Sequence, residues 1–290
     1  MVKIAIVLKD LSRLNFEQLH SAVLDNILKP KLVKNCALDV ILVDKFEDSM
    51  YLDDVLGRLY SMCREVLLER ELSLEPVNIL FGDEWNMSSH RSDYVWDYLV
   101  AEETFSVTGY RYKNHIAYPK LDPVDNHIPS SGKRDINKFE VTALGGTFDH
   151  LHDGHKILLS VAAFLTSKRL IVGVTDQELL ANKKYKEYME SFDTRCIGVQ
   201  SFLQLLKPSL KMEPVAIRDV CGPTGTVPEI KCLVVSRETV GGGKVVNETR
   251  ASKGMDPLDI YIVNVLGGQE DDGWKEKLSS TEIRKSLATS

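Results

Sequence analysis

Ala143-Leu-Gly-Gly-Thr-Phe-Asp-His-Leu-His-Asp-Gly-His155 sits between two regular patterns. Before it, Phe139–Leu144 has the length and composition of a buried strand; after it, His155–Thr166 has a helical apolar period. A loop from strand to helix lies at the strand's carboxyl end, where open α/β sheets bind their ligands. Gly145 and Gly146 lack Cβ atoms, so a ligand can approach the backbone closely. The helix start offers unpaired N–H groups and partial positive charge, both favourable to phosphate. Three of the seven histidines, His150, His152 and His155, crowd into this segment. His152 and His155, three apart at a helix start, aim their rings to one side, and Gly154 leaves room for a sugar or base. Two alternatives stand beside a phosphate site. One is a Gly-rich turn with incidental histidines. The other is a metal site, which lacks nearby cysteines and a third well-spaced ligand.

The alternation continues outward. Leu170–Val174, Met212–Ile217, Cys232–Val235 and Ile260–Val265 read as strands. Thr194–Leu206 reads as a helix, a helical run separates the last two strands, and Ser279 opens a final helix. This pattern predicts a doubly wound parallel sheet, Rossmann-like, over residues 138–290. A second, smaller α/β domain over 1–122 is expected to precede it, with strands Ile4–Leu8, Leu38–Val43 and Val77–Phe81. Between these strands lie two helical faces. Phe16, Leu19, Ala22, Val23 and Ile27 form one; Val55, Leu56, Leu59, Met62, Val66 and Leu67 form the other. Tyr94–Leu99 suggests a further helix or strand, and the aromatic cluster of Trp85, Trp96 and Tyr94–Tyr98 reads as core. Pro123–Asn137, with two prolines and a Ser-Ser-Gly, reads as a linker or long surface loop.

Charge is unevenly placed. Residues 138–290 hold 20 basic and 20 acidic side chains, so the whole net charge of −6 falls on 1–137. An acidic first half argues against a nucleic-acid surface. No run of eighteen apolar residues is present, which argues against a membrane partner, and the N-terminal apolar run stops at Lys9-Asp10 without a signal cleavage pattern. Five scattered cysteines with no C-x-x-C spacing point to reduced thiols and a cytoplasmic setting. Lys9-Asp10-Leu11-Ser12 follows the first strand where a phosphate loop would carry glycines. The first domain is therefore expected to be non-catalytic, packing on the second or binding a protein partner.

A second element, Leu278-Ser-Ser-Thr-Glu-Ile-Arg284, taken alone is a helix cap. Paired with Gly-Gly-Thr-Phe-Asp…His-x-Gly-His at the start of the same domain, it resembles the nucleotidyltransferase superfamily that includes cytidylyltransferases and pantetheine-phosphate adenylyltransferases. Three further segments resemble the eukaryotic and archaeal type of that adenylyltransferase: Val172–Lys183, Asp219-Val-Cys-Gly-Pro-Thr-Gly225, and Val234–Thr239 through Gly242–Arg250. No comparable family resemblance is identified for 1–137. Gly241-Gly-Gly-Lys244 fails the Walker A pattern at Glu238 and Val245 and is expected to be a flexible turn near the acceptor cleft. With no other Walker A match, a monofunctional form without a fused dephospho-coenzyme A kinase is expected.

Members of the family transfer the adenylyl group of ATP to 4′-phosphopantetheine, giving dephospho-coenzyme A and pyrophosphate in coenzyme A biosynthesis. The resemblance implies that His155 contacts the reacting phosphates and that His152 holds the first histidine position, where some members carry Thr. Lys183 and Arg250 join His155 as catalytic groups, although the adjacent Lys184 leaves the lysine open by one residue. Gly145, Gly146, Phe148, Ser279, Ser280, Thr281 and Arg284 complete the ATP side, and Thr147, Lys183 and Asp219 the acceptor side. Arg237 is expected to be a salt-bridged surface residue. Mg²⁺ is expected to enter with ATP, and no protein metal ligands are assigned. The attacking phosphate oxygen is already ionised at pH 7, so alignment and charge neutralisation suffice. A protonated His, a Lys, an Arg and Mg²⁺ would supply them. Two rivals remain: a related transferase with another phosphorylated acceptor, and a scaffold with a vestigial transferase fold. Retention of His152, His155, Lys183, Arg250 and Arg284 together speaks against decay.

Overall fold

The computed structural model describes residues 1–82, 85, 94–181, 183–264 and 278–289. The expected strand end at Val265 and the motif residue Asn182 lie outside them. The chain divides into two compact units, one of Met1–Phe46 with Asp54–Ser130, the other of Glu47–Asp53 with Ser131–Ser290. The Pro123–Asn137 segment carries no helix or strand.

The first unit holds β1 (Val2–Leu8), β2 (Cys36–Leu42), β3 (Val77–Phe81), β4 (Val95–Glu102) and β5 (Arg111–Tyr118). All pair in parallel, in the order β3-β2-β1-β4-β5. Strands β2 and β3 are buried along their whole length, which explains their mainly apolar sequences; the exceptions, Asp39 and Asn78, bond to each other at 2.8 Å. The ambiguous Tyr94–Leu99 run is a strand from Val95 onward. Strand β5 was not expected, because it pairs on one side only and most of its residues are exposed, so its sequence carries charge instead of an apolar run.

Helix α1 (Ser49–Glu69) buries Val55, Leu56, Leu59, Val66 and Leu67 as the apolar face predicts. The helical segment Phe16–Gln18 and Leu19–Leu28 departs from its prediction. Leu19, Val23, Leu24 and Leu28 are buried, whereas Ala22 and Ile27 are not. Its turn is wider, with the Lys29 N–H bonded to the Leu24 carbonyl five residues back, and the buried stripe shifts accordingly. Trp85 and Trp96 are buried together, their centroids 6.1 Å apart. After β1, Lys9 pairs with Glu102 at 3.0 Å.

The second unit runs β6 (Phe139–Gly146), α2 (Asp153–Leu165), β7 (Thr166–Thr175), α3 (Phe192–Leu206), β8 (Lys211–Ile217), β9 (Cys232–Ser236), α4 (Val240–Ser252), β10 (Asp259–Val263) and α5 (Ser280–Thr289). The sheet is parallel throughout, ordered β10-β9-β6-β7-β8. The chain starts in the middle, adds strands on one side, then crosses to the other, as in the first unit. The direction of addition reverses between β6 and β9, which places a ligand crevice at their carboxyl ends. Beneath it, Ala143, Ile171, Leu233, Val235 and Val246 share one apolar cluster.

One expected turn is corrected here. Gly241–Lys244 lies in the first turns of α4. Ser236 and Thr239 form a capping box just ahead, and that reciprocal bonding starts a helix despite three weak helix formers. Gly243 packs closely against the sheet: a Cβ there would stand 3.3 Å from Ile260 on β10.

Candidate functional site

A cleft of about 560 Å³ opens in the second unit at the carboxyl ends of β6, β7, β8 and β9. Both sequence motifs line it. Gly145, Gly146, Thr147, His152, Gly154 and His155 come from the β6–α2 passage, and Ser279, Ser280, Thr281 and Arg284 from the start of α5. Lys183 and Asp219 face it from the segments after β7 and β8. Lys184 is exposed and is not among the lining residues, so the geometry separates the two lysines.

His152 is the N-cap residue of α2 and its side chain does not cap the helix. Its ring lies 3.9 Å from that of His155, tilted by 33°. Burial above all, with His152 and the charge of Lys183, holds His155 well below the ordinary imidazole range. This shift favours the neutral ring over the protonated histidine that the sequence reading expects. A neutral imidazole still donates one N–H. Among the described residues, His155 Nδ1 is a buried polar atom without a hydrogen-bond partner, and so is Thr175 Oγ1 at the end of β7. Both residues line the cleft, where a ligand would satisfy them.

Two expected contacts are not with the cleft. Arg250 is 1% exposed and absent from its lining. Its guanidinium donates to the carbonyls of Asp256 (2.6 Å), Thr224 (2.7 Å), Val227 (3.3 Å) and Ile230 (3.4 Å). Those bonds tie α4 to the loops on either side of it and leave the group no path to a phosphate. Phe148 is fully buried; its ring packs 5.3 Å from His155 and beneath Gly146, where a Cβ would meet it at 3.0 Å. It supports the loop and is not among the residues that line the cleft. Arg237, expected as a salt-bridged surface residue, lines the cleft beside Glu238 and Thr239.

Other residues are occupied in more than one way. Asp219 Oδ1 accepts the N–H groups of Cys221 and Gly222, each at 2.8 Å, and so shapes the turn it stands on. Arg284 is 2% exposed. It pairs with the buried carboxylate of Asp149 and donates to the Lys184 carbonyl at 3.0 Å and Thr281 Oγ1 at 3.3 Å.

Three contributors were missed by the sequence. Arg195 on α3 is buried and donates to the carbonyls of Thr147 (2.8 Å) and Thr175 (2.9 Å), fixing the floor of the loop. Thr175 itself ends a strand at the cleft, a position that could have been read from the alternation. Ile217, at the end of β8, sits in a notch of glycines: a Cβ would stand 3.4 Å from it at Gly145, 2.9 Å at Gly173 and 2.7 Å at Gly222. Three separate segments thus give up side chains to make room for one apolar wall.

A family model described as Cytidylyltransferase-like matches residues 143–286. A phosphopantetheine adenylyltransferase of Saccharomyces cerevisiae is 52% identical over 260 residues, covering 87% of this chain and 84% of that one. The chain belongs to the phosphopantetheine adenylyltransferase family. Archaeal members are shorter. Those of Pyrobaculum aerophilum and Methanopyrus kandleri are 34% and 35% identical, and the match spans 93% and 91% of their lengths but only 52% and 51% of this chain. The yeast match is too long to fit within the second unit, so it includes first-unit sequence as well. Among the described residues no helix is long and apolar enough to cross a membrane.

Proposed function

We propose that this chain transfers AMP from ATP to 4′-phosphopantetheine, giving dephospho-coenzyme A and pyrophosphate in the cytoplasm. One observation carries the reading: His152, His155 and Thr147 share a single cleft with Lys183 and with Ser279–Arg284, in a fold that belongs to this family. The archaeal relatives support placing the chemistry in residues 138–290, since about half of this chain's length spans nearly all of theirs.

In this reading an ionised phosphate oxygen of the acceptor attacks the α-phosphorus of ATP, a new P–O bond forms, and the bond to the β-phosphate oxygen breaks. Thr147 steadies the acceptor phosphate. His155 donates an N–H to the α-phosphate as charge builds on its oxygens, and Lys183 neutralises that charge. The hydroxyls of Ser279 and Thr281 and the first-turn N–H groups of α5 receive the departing pyrophosphate. No base is needed because the nucleophile carries no proton to remove. Among the described residues no three His, Cys, Asp or Glu side chains converge as a metal cage. The cleft's hydroxyl and nitrogen donors suit phosphate, and Mg²⁺ would be held chiefly by ATP's own oxygens, where it supplies further charge neutralisation.

Release of pyrophosphate from ATP, measured with and without 4′-phosphopantetheine, tests this. Release that requires the acceptor supports it. Turnover with CTP and choline phosphate, in place of ATP and phosphopantetheine, would point to a cytidylyltransferase instead.

A further inference from the structure

Asp149 is fully buried between two residues of left-handed backbone, Phe148 (φ 51°) and His150 (φ 46°). Such conformations are uncommon in non-glycine residues and persist only where the surroundings over-determine them. Here the surroundings are specific. The Asp149 carboxylate pairs with Arg284 on α5, and its Oδ1 also accepts the Glu190 N–H at 2.9 Å. The Asp149 carbonyl accepts from Ser280 Oγ at 2.8 Å. Glu190 returns a bond, its Oε2 accepting the His150 N–H at 2.7 Å, and His150 Nε2 meets the Tyr188 carbonyl at 2.9 Å.

Arg284 extends the network to the other end of the same segment, through its 3.0 Å bond to the Lys184 carbonyl. The stretch from Lys184 to Glu190 is therefore held at both ends by the two members of one buried ion pair. Lys183, which faces the cleft, is anchored next to one of those ends.

We propose that the Asp149–Arg284 pair is a positioning device that sets the cleft lysine and the α5 clamp together. Asp149 touches neither substrate. It keeps Arg284 in place, Arg284 keeps the backbone beside Lys183 in place, and Ser280 is fixed to the same loop. Arg284 thereby serves two sides of the reaction: α5 presents hydroxyls to the triphosphate, and the guanidinium aligns the lysine. Replacing the carboxylate would leave a buried guanidinium without its counter-charge, and both sides would loosen at once. This inference rests on the adenylyltransferase reading.

The test is a double-mutant cycle on kcat with ATP and 4′-phosphopantetheine, using wild type, Asp149→Asn, Lys183→Ala and the pair in the full-length chain. If Asp149 sets both sides, Asp149→Asn lowers kcat roughly 100-fold in wild type and only about 10-fold in the Lys183→Ala background, where the α5 share alone remains. Equal losses in both backgrounds would overturn the proposal. Amide exchange supplies a readout independent of turnover: amides of Lys184–Glu190 should exchange faster in Asp149→Asn, with those of β6 and β7 unchanged. If Asp149→Asn does not fold, Arg284→Lys replaces it, keeping the charge but losing the fork that reaches Lys184. The same non-additivity and the same local exchange are expected of it, and unchanged exchange in the 184–190 segment would refute the device. Inactive wild type would instead count against the adenylyltransferase reading.

Discussion

Removing the Arg250 side chain should damage stability and spare chemistry. Its guanidinium makes two short bonds, 2.6 and 2.7 Å, and two longer ones, 3.3 and 3.4 Å, all to backbone carbonyls. A hydrogen bond to a charged group contributes about 1.5–3 kcal/mol, and an orphaned buried carbonyl costs about 1–3 kcal/mol. These terms are not additive, and water would reach some of the exposed carbonyls. We therefore expect Arg250→Ala to lose roughly 3–5 kcal/mol, near the upper end for single substitutions. For a unit of this size, each kcal/mol moves Tm by about 2–4 °C, so the melting temperature should fall by roughly 6–20 °C. The assay pairs a thermal melt with steady-state kinetics well below the new Tm, corrected for the folded fraction. The KM for ATP should stay within about 3-fold of wild type. An unchanged Tm with an ATP KM raised tenfold or more would refute the structural assignment and restore Arg250 to the triphosphate.

Three further outcomes are expected. His155→Ala should lower kcat by at least 10³-fold with a small change in stability at pH 7. It should also flatten the acid side of the stability profile. Because the folded pKa is depressed, neither state is appreciably protonated at His155 above about pH 7.5, a unit over the ordinary imidazole value. Below it the unfolded chain binds a proton that the native protein refuses, so stability falls with falling pH. Urea titrations at pH 7 and 5.5 should show wild type losing more stability on acidification than the variant, and equal losses would contradict a depressed His155 pKa. Lys183→Ala should lower kcat by roughly 100-fold while Lys184→Ala changes it less than 3-fold, since Lys184 contributes its backbone carbonyl; equal losses in kcat measurements would contradict the geometry. Gly173→Ala should destabilise by about 1–3 kcal/mol, because its Cβ would meet Ile217 at 2.9 Å. A melting curve identical to wild type would show that Ile217 can move aside.

The sequence was most legible where one physical requirement acts over a short stretch. Strand β6, the Gly-Gly loop and α2 were readable because apolar period, glycine placement and helix start agree within about twenty-five residues. The two motifs could be joined only through a family resemblance, since nothing local says that Ser279 and Gly145 share a cleft. Errors fall where long-range geometry decides. Arg250 and Arg237 are both plausible phosphate ligands by type. Arg250 lies one side of α4, against the carbonyls of the neighbouring loops, while Arg237 stands at the end of β9 on the cleft. Gly241–Lys244 looks like a turn until the Ser236–Thr239 capping box is known. Asp149 stands inside the quoted motif, but its role and that of Arg195 left no local trace, because what they do depends on partners 135 and 48 residues away. Strand β5 escaped because an exposed edge strand needs no apolar run.

The phosphorus that moves distinguishes adenylyl transfer from every other use of ATP by such a cleft. Full-length protein would be incubated with 4′-phosphopantetheine and with ATP labelled either in the α- or in the γ-phosphate. Label from the α-position should appear in dephospho-coenzyme A, and label from the γ-position only in pyrophosphate. Acceptor product carrying the γ-label, or α-label that stays in free nucleotide while phosphopantetheine is unchanged, would contradict adenylyl transfer at this site.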